Sequence, residues 1–219
     1  MDIKRKIIGK DKPLIIVFNS NIYKSDTFEM ENTLKMYDEK CNIIFLRDRY
    51  VSWYIKGVNG YSKSYEETID KLREEIANIK PNKILTIGLS SGGFAALYFG
   101  NILKVDKIIA CSPQIVLNND SIKPYYKKLK NVEREVNILP INEDIDVNIF
   151  WCKFSDFYGI TKRQNRYVEQ NLNDEGQYNM VKGIRNVNNI LVEGGNHGDI
   201  MRLIIKNGEL FNIINKFIN

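Results

Sequence analysis

Histidine occurs once in the 219 residues, cysteine three times and proline five times, and each shortage closes off a class of protein. One imidazole cannot build a zinc site that needs several. Three cysteines cannot all pair internally, so no disulfide framework is expected. Cys41, Cys111 and Cys152 each sit in or beside an apolar run, as buried free thiols in a reducing compartment do. The longest clean apolar run near the start covers only residues 14–18, too short for a signal-peptide core or a membrane span. Repeats, low-complexity tracts and a Pro/Gly/Ser-rich linker are missing too. A single domain over 1–219 is therefore expected. At 43% hydrophobic residues the chain is too apolar for disorder, and a domain of this length buries roughly 70% of its extended surface without staples. The expectation is a cytoplasmic, water-soluble protein with no metal, no cofactor and no membrane span.

Charge of one sign is also scarce. The 32 Lys+Arg against 27 Asp+Glu give +5, whereas a nucleic-acid binder shows a denser basic stripe; no nucleic-acid partner is expected. The excess is uneven: Lys123, Lys127, Lys128, Lys130 and Arg134 share one stretch with Tyr125 and Tyr126. An ordinary solvated helix face explains that pattern. A lid whose positive field attracts an anionic substrate is the sharper reading.

What the sequence does have is alternation. Leu14, Ile15, Ile16, Val17 and Phe18 form a continuous apolar run, expected of a strand covered on both faces. Residues 41–46, 83–89, 107–111, 147–152 and 189–192 read as further strands. Between them lies a helix that starts at a capping box, Ser64 and Glu67. It carries Ile69, Leu72, Ile76 and Ile79 on one stripe and stops at Pro81. Residues 200–217 read as a closing helix. Strands separated by helices predict an α/β fold: a mostly parallel central sheet flanked by helices. Residues 112–146 break the rhythm and are expected to form a small insertion or lid.

The chemistry concentrates after the strand at 83–89. Gly88-Leu89-Ser90-Ser91-Gly92 fits G-x-S-x-G, with a strand before it and a helix after it, the context that motif requires. A serine at such a turn projects its hydroxyl off the sheet edge. The helix N-terminus then offers unpaired N–H groups where an oxyanion would form. A Gly/Ser turn with no chemistry is the plainer alternative.

A serine hydroxyl needs a base, and His197 is the only imidazole. It lies between Gly195 and Gly198, just past the last strand, where a base could reach Ser90. A carboxylate should hold the imidazole. Asp106, Asp120, Glu133, Glu135, Glu143, Asp144, Asp146, Asp156, Asp174 and Glu175 all fall between the two. Asp156 is favoured because it follows the 147–152 strand and so should share the sheet edge. Asp144 and Asp146 precede that strand, and Glu193 and Asp199 are too close to His197 along the chain. Neither a phosphate-binding loop nor a dinucleotide fingerprint is present: 88–93 lacks the Lys-Ser/Thr ending, and no G-x-G-x-x-G follows a strand.

With the elbow at Ser90 and the order Ser90, Asp156, His197, the chain resembles the α/β-hydrolase superfamily over roughly residue 13 to the C-terminus. Within it, Arg47-Asp48, Trp53-Tyr54 and Gly57 ahead of the Gly-Leu-Ser-Ser-Gly-Gly turn are similar to small bacterial esterases and O-acyltransferases, some acting on cell-surface carbohydrate. Many relatives carry His-Gly after the first strand, where this chain has Asn19-Ser20-Asn21. The resemblance implies an oxyanion hole built from the Ser91 N–H and an N–H of Ser20 or Asn21. Arg47, Tyr50, Trp53 and Tyr54 either pack ordinarily or wall a pocket for a sugar ring or acyl chain. The expected activity is serine-dependent cleavage of a carboxylic ester, including an O-acyl group on a carbohydrate, through an acyl-enzyme on Ser90. O-acyl transfer by the same three residues is the alternative, and a non-catalytic binding protein on a hydrolase fold is the rival of another class. The partner is a small-molecule or carbohydrate ester.

Overall fold

The computed structural model describes residues 1–20, 27–118, 135–153 and 165–219, with 165–172 as backbone only. The apolar runs become six strands of one seven-stranded sheet, whose members are β1 (Ile3–Lys6), β2 (Leu14–Phe18), β3 (Asn42–Leu46), β4 (Ile84–Leu89), β5 (Lys107–Cys111), β8 (Asp146–Cys152) and β9 (Val187–Val192). Their spatial order is β1-β3-β2-β4-β5-β8-β9. Every pairing is parallel except β1 with β3. The edge strand β1 is absent from the sequence reading. Its half-buried, charge-bearing run Ile3-Lys4-Arg5-Lys6 lacks the continuous apolar signal of strands covered twice.

Both faces of the sheet are covered, which is why its central strands read as unbroken apolar runs. Leu14, Ile16 and Phe18 face one layer with Ile69, Leu72 and Phe94. That layer is built by α2 (Tyr65–Ile79), α3 (Ser91–Leu103) and α4 (Asn165–Val181). Ile15 and Val17 face the other with Leu34, Ile204 and Ile214, from α1 (Glu31–Leu34), α5 (Ile200–Lys206) and α6 (Glu209–Ile218). The single closing helix expected over 200–217 is two helices, because Gly208 takes φ 75, a left-handed conformation that ends α5. At the start of α2, the Ser64 hydroxyl accepts the Glu67 N–H at 3.2 Å. The Glu67 carboxylate accepts the Lys63 N–H at 2.7 Å, a capping box shifted by one residue.

Between 112 and 146 the structure has a two-stranded antiparallel ribbon, β6 (Val116–Leu117) with β7 (Val136–Asn137). The basic, tyrosine-bearing stretch from Lys123 to Arg134 lies outside the described residues. The three cysteines are buried, and burial pushes the Cys41 thiol up to about 11, away from the thiolate form that reacts. Among the described residues, no helix is long and apolar enough to cross a membrane.

The topology fixes where a site can be. The chain builds β2 and β3 side by side, then returns to the other flank of β2 to lay down β4 and the rest. Loops at the carboxyl ends of β2 and β4 therefore diverge, leaving a crevice at the switch point.

Candidate active site

Ser90 follows β4 directly and takes φ 55, ψ −118 as the residue before α3. A non-glycine residue there is strained, a cost of about 1–3 kcal/mol that the surroundings must override. They do so by backbone bonds on both sides: the Ser90 N–H donates to the Cys111 carbonyl at 2.8 Å, and the Ser90 carbonyl accepts from the Phe94 N–H at 2.9 Å. The glycines are required by close approach. A Cβ on Gly88 would lie 2.1 Å from the Gly92 carbonyl oxygen, one on Gly92 2.1 Å from that of Phe18, and one on Gly93 2.9 Å from that of Cys111. The elbow is thus wedged against the ends of β2 and β5. Gly92→Ala is expected to cost about 3 kcal/mol, lowering Tm by roughly 6–12 °C. Differential scanning calorimetry checks this, and an unchanged Tm would mean the β2 end yields easily.

His197 reaches Ser90 from the last loop. Beyond β9 the chain turns through Gly194 (φ 76) and Gly195 (φ 81). The turn is closed by Asp199, whose N–H donates to the Asn196 carbonyl at 2.8 Å while its carboxylate accepts the Asn196 N–H at 3.2 Å. The imidazole is buried, with 5% exposure. Its Nε2 lies 2.8 Å from Ser90 Oγ and its Nδ1 2.8 Å from Asp174 Oδ2. A carboxylate only accepts, so the Nδ1 proton points at Asp174 and the Nε2 lone pair at the serine hydroxyl.

The carboxylate on the imidazole is therefore Asp174, from the interior of α4. Asp156, favoured for that place in the sequence reading, lies outside the described residues. Asp174 is fully buried, and its turn neighbour Gln177 is 4% exposed. Gln177 Oε1 accepts the N–H groups of Ile115 at 2.6 Å and Val116 at 3.0 Å. That bond docks α4 onto the segment after β5 and fixes where Asp174 points. A signal for Asp174 existed: Asp174, Gln177, Tyr178 and Val181 are spaced as one helix face, and a carboxylate on a face ending in Val181 is rarely buried without a partner. Glu193 instead pairs with Lys153 at 2.8 Å.

Residues 91–93 open α3, with no side-chain cap. Their N–H groups lie in the helix's unpaired first turn, at its positive end beside Ser90. Of the two other oxyanion candidates, Ser20 has its N–H engaged by Glu29 Oε2 at 2.6 Å, and Asn21 lies outside the described residues. Glu29 escaped the sequence reading. Burial pushes its carboxyl up, against the lowering effect of the Ser20 hydrogen bonds.

The four residues considered for a pocket wall divide. Tyr50 is 46% exposed. Tyr54 is fully buried, sharing its hydroxyl proton between the carbonyls of Asn19 at 2.9 Å and Leu46 at 3.0 Å. Trp53 is buried too, its indole N–H donating to Gln114 Oε1 at 2.7 Å. Arg47 donates two bonds to the buried Asp2 carboxylate, at 2.8 and 2.7 Å, and lies over the Phe28 ring. Packing and internal hydrogen bonds occupy Arg47, Trp53 and Tyr54, the ordinary-packing reading of the two that the sequence offered. Among the described residues, no group of His, Cys, Asp and Glu is placed to hold a metal ion.

No family model and no curated protein matches the chain. Solved structures do. The capsule O-acetyltransferase of Neisseria meningitidis serogroup A aligns with TM-score 0.58 at 18% identity, over 97% of this chain and 89% of that one. A variant of it in complex with CoA aligns with TM-score 0.64 at 15% identity, over 95% and 90%. The fluorophosphonate-binding serine hydrolase F of Staphylococcus aureus aligns with TM-score 0.53 at 13% identity, over 91% and 83%. With a mostly parallel seven-stranded sheet and a strained serine turn between β4 and α3, these likenesses identify the fold of the chain as that of the α/β-hydrolases.

Proposed function

We propose that the chain is an acyl-serine enzyme acting on carboxylic esters, O-acyl groups on carbohydrates included. The observation that carries this reading is the unbroken series Ser90 Oγ, His197 Nε2, His197 Nδ1, Asp174 Oδ2, with 2.8 Å at each contact. Ser90 Oγ attacks the ester carbonyl as His197 Nε2 takes its proton. Asp174 holds the imidazole in the required tautomer and stabilises its charged form. The Ser91 N–H and an N–H of the loop after β2 stabilise the tetrahedral oxygen, each by roughly 3 kcal/mol. The Ser20 N–H is engaged by Glu29, and Asn21, the other candidate of that loop, lies outside the described residues. His197 then protonates the departing alcohol, leaving an acyl-serine that a hydroxyl must clear.

Water clears it in a hydrolase and a sugar hydroxyl in an O-acyltransferase. The second reading is favoured by one observation: the likeness to the capsule O-acetyltransferase spans nearly the whole of both chains. Because a variant of that protein was solved with CoA, an acyl-CoA is the donor to try beside an activated ester. Incubating the protein with acetyl donor, with and without an oligosaccharide acceptor, tests the two. Acetyl on the sugar, with faster clearance of acyl-serine, is expected of a transferase; clearance unaffected by sugar marks a hydrolase. No acyl-serine at all would leave a binding protein on a hydrolase fold.

A further inference from the structure

One stretch of backbone touches both the turn that carries the hydroxyl and the helix that carries the carboxylate. At the end of β5 the Cys111 carbonyl accepts the Ser90 N–H at 2.8 Å. Further along, the N–H groups of Ile115 and Val116 donate to Gln177 Oε1 at 2.6 and 3.0 Å. Gln177 follows Asp174 by one turn on the same face of α4. Residues 111–116 therefore form a brace between the Ser90 turn and the helix that holds Asp174. The brace is pegged along its length. The Ser112 N–H donates to the Phe150 carbonyl at 2.8 Å, the fully buried Gln114 accepts the Trp53 indole N–H at 2.7 Å, and the Ile115 carbonyl accepts the Ile138 N–H at 3.1 Å. Ser112 takes φ 41, unfavourable for a residue with a Cβ. Strain of this kind persists where the surroundings over-determine a position.

The returning strand of the ribbon is gripped by α3, the helix that Ser90 precedes. Asn101 Nδ2 donates to the carbonyls of Ile138 at 3.3 Å and Pro140 at 3.0 Å, and its Oδ1 accepts the Asn142 N–H at 2.8 Å. The helix of the serine and the helix of the aspartate thus hold one ribbon root from two sides. Asp174 depends on that hold. Its Oδ2 accepts from His197, while its buried Oδ1 has no hydrogen-bond partner among the described residues. The carboxylate is therefore not oriented through its own second oxygen, and the placement of α4 must orient it. We propose that Gln177 is a positioning residue for Asp174, binding α4 to the brace that starts at the Ser90 turn, so that hydroxyl, imidazole and carboxylate stay in register. The inference rests on the acyl-serine reading and adds to it a residue that does not touch the reacting atoms.

The test is a double-mutant cycle on the full chain, with Gln177→Met and Gln177→Ala each made in the wild type and in Asp174→Asn. Methionine keeps the length of the side chain and gives up its strong acceptor. Tm is measured for every variant, and kcat and KM for a 4-nitrophenyl ester are measured well below it. Gln177→Met is expected to lower kcat about 10–100-fold with KM within about threefold, the loss that a misplacement on the order of 1 Å produces. In the Asp174→Asn background the same substitution should change kcat by less than about twofold, while Tm falls by a similar amount in both backgrounds. A glutamine that served stability alone would cost the same factor of kcat with and without the carboxylate. Equal losses in the two backgrounds, or an unchanged kcat in both Gln177 variants, would overturn the proposal. Should the Gln177 variants fail to fold, Asn101→Ala carries the same cycle from the α3 side. Its expected loss is about 3–10-fold in kcat, present with Asp174 and absent without it; an equal loss in both backgrounds, or none, decides against the brace. Absence of fluorophosphonate labelling at Ser90 in the wild type would remove the acyl-serine reading and the brace with it. Labelled wild type with unaffected variants removes the brace only.

Discussion

Ser90→Ala is expected to lower turnover of a small activated ester on the order of 10³–10⁶-fold, the range seen when an acyl-forming hydroxyl is removed and the remaining groups still bind substrate. The fold should survive. Alanine meets the same φ of 55 at the same cost as serine, and the two backbone bonds that hold the turn, to Cys111 and from Phe94, do not involve the side chain. Tm should therefore stay within about 2 °C of the wild type. Stopped-flow release of 4-nitrophenol together with calorimetry separates the two effects. Turnover within tenfold of wild type in a folded Ser90→Ala protein would place the nucleophile elsewhere.

Asp174→Asn is the second large effect, about 10⁴-fold in kcat. The carboxylate Oδ2 now accepts the Nδ1 proton at 2.8 Å. An amide that presents its NH₂ to Nδ1 reverses the tautomer, putting the proton on Nε2 and leaving Ser90 without an acceptor. Binding is little affected, because Asp174 lies behind the imidazole, fully buried. KM should change little while kcat collapses. The matched control is Asp156→Asn, expected to keep kcat near wild type. A collapse in the Asp156 variant with an active Asp174 variant would transfer the carboxylate's role from Asp174 to Asp156.

The contrast between those two aspartates shows where the chain's own pattern can be read and where it cannot. The meeting of Ser90 and His197 was legible because each lies at a punctuated turn beyond a strand. The small residues at 88, 92 and 93 announce a backbone crossing, and the glycines at 194, 195 and 198 announce a loop at the last strand. Unbroken apolar runs at 14–18 and 84–89 likewise announce strands covered on both faces. The partner carboxylate obeys no such punctuation. It comes from within α4, where burial of Asp174 depends on how Gln177 docks that helix against Ile115 and Val116. That is a tertiary contact, and a strand-end rule looks past it. Trp53 and Tyr54 could be read either way from the sequence. Their size and the neighbouring arginines fit a pocket wall, but Asp48 folds the segment inwards, so that the rings pack in the core and their polar tips reach Gln114 and Asn19. Nothing in composition marks Asp48 as the strap; three N–H groups converging on one carboxylate do.

In the proposed acyl-serine chemistry a single histidine suffices. Its two nitrogens are fully committed, one to a hydroxyl and one to a carboxylate, at the edge of the sheet where the strand order diverges on either side of β2. Under that proposal the two contacts place a base against the alcohol and a carboxylate against the base.

Intact-mass analysis and peptide mapping after brief exposure to a fluorophosphonate probe the arrangement most directly. The account predicts one adduct per chain, on the peptide that carries Ser90, forming orders of magnitude more slowly in His197→Ala. An unmodified chain, or an adduct at another serine that forms as fast without His197, would contradict it.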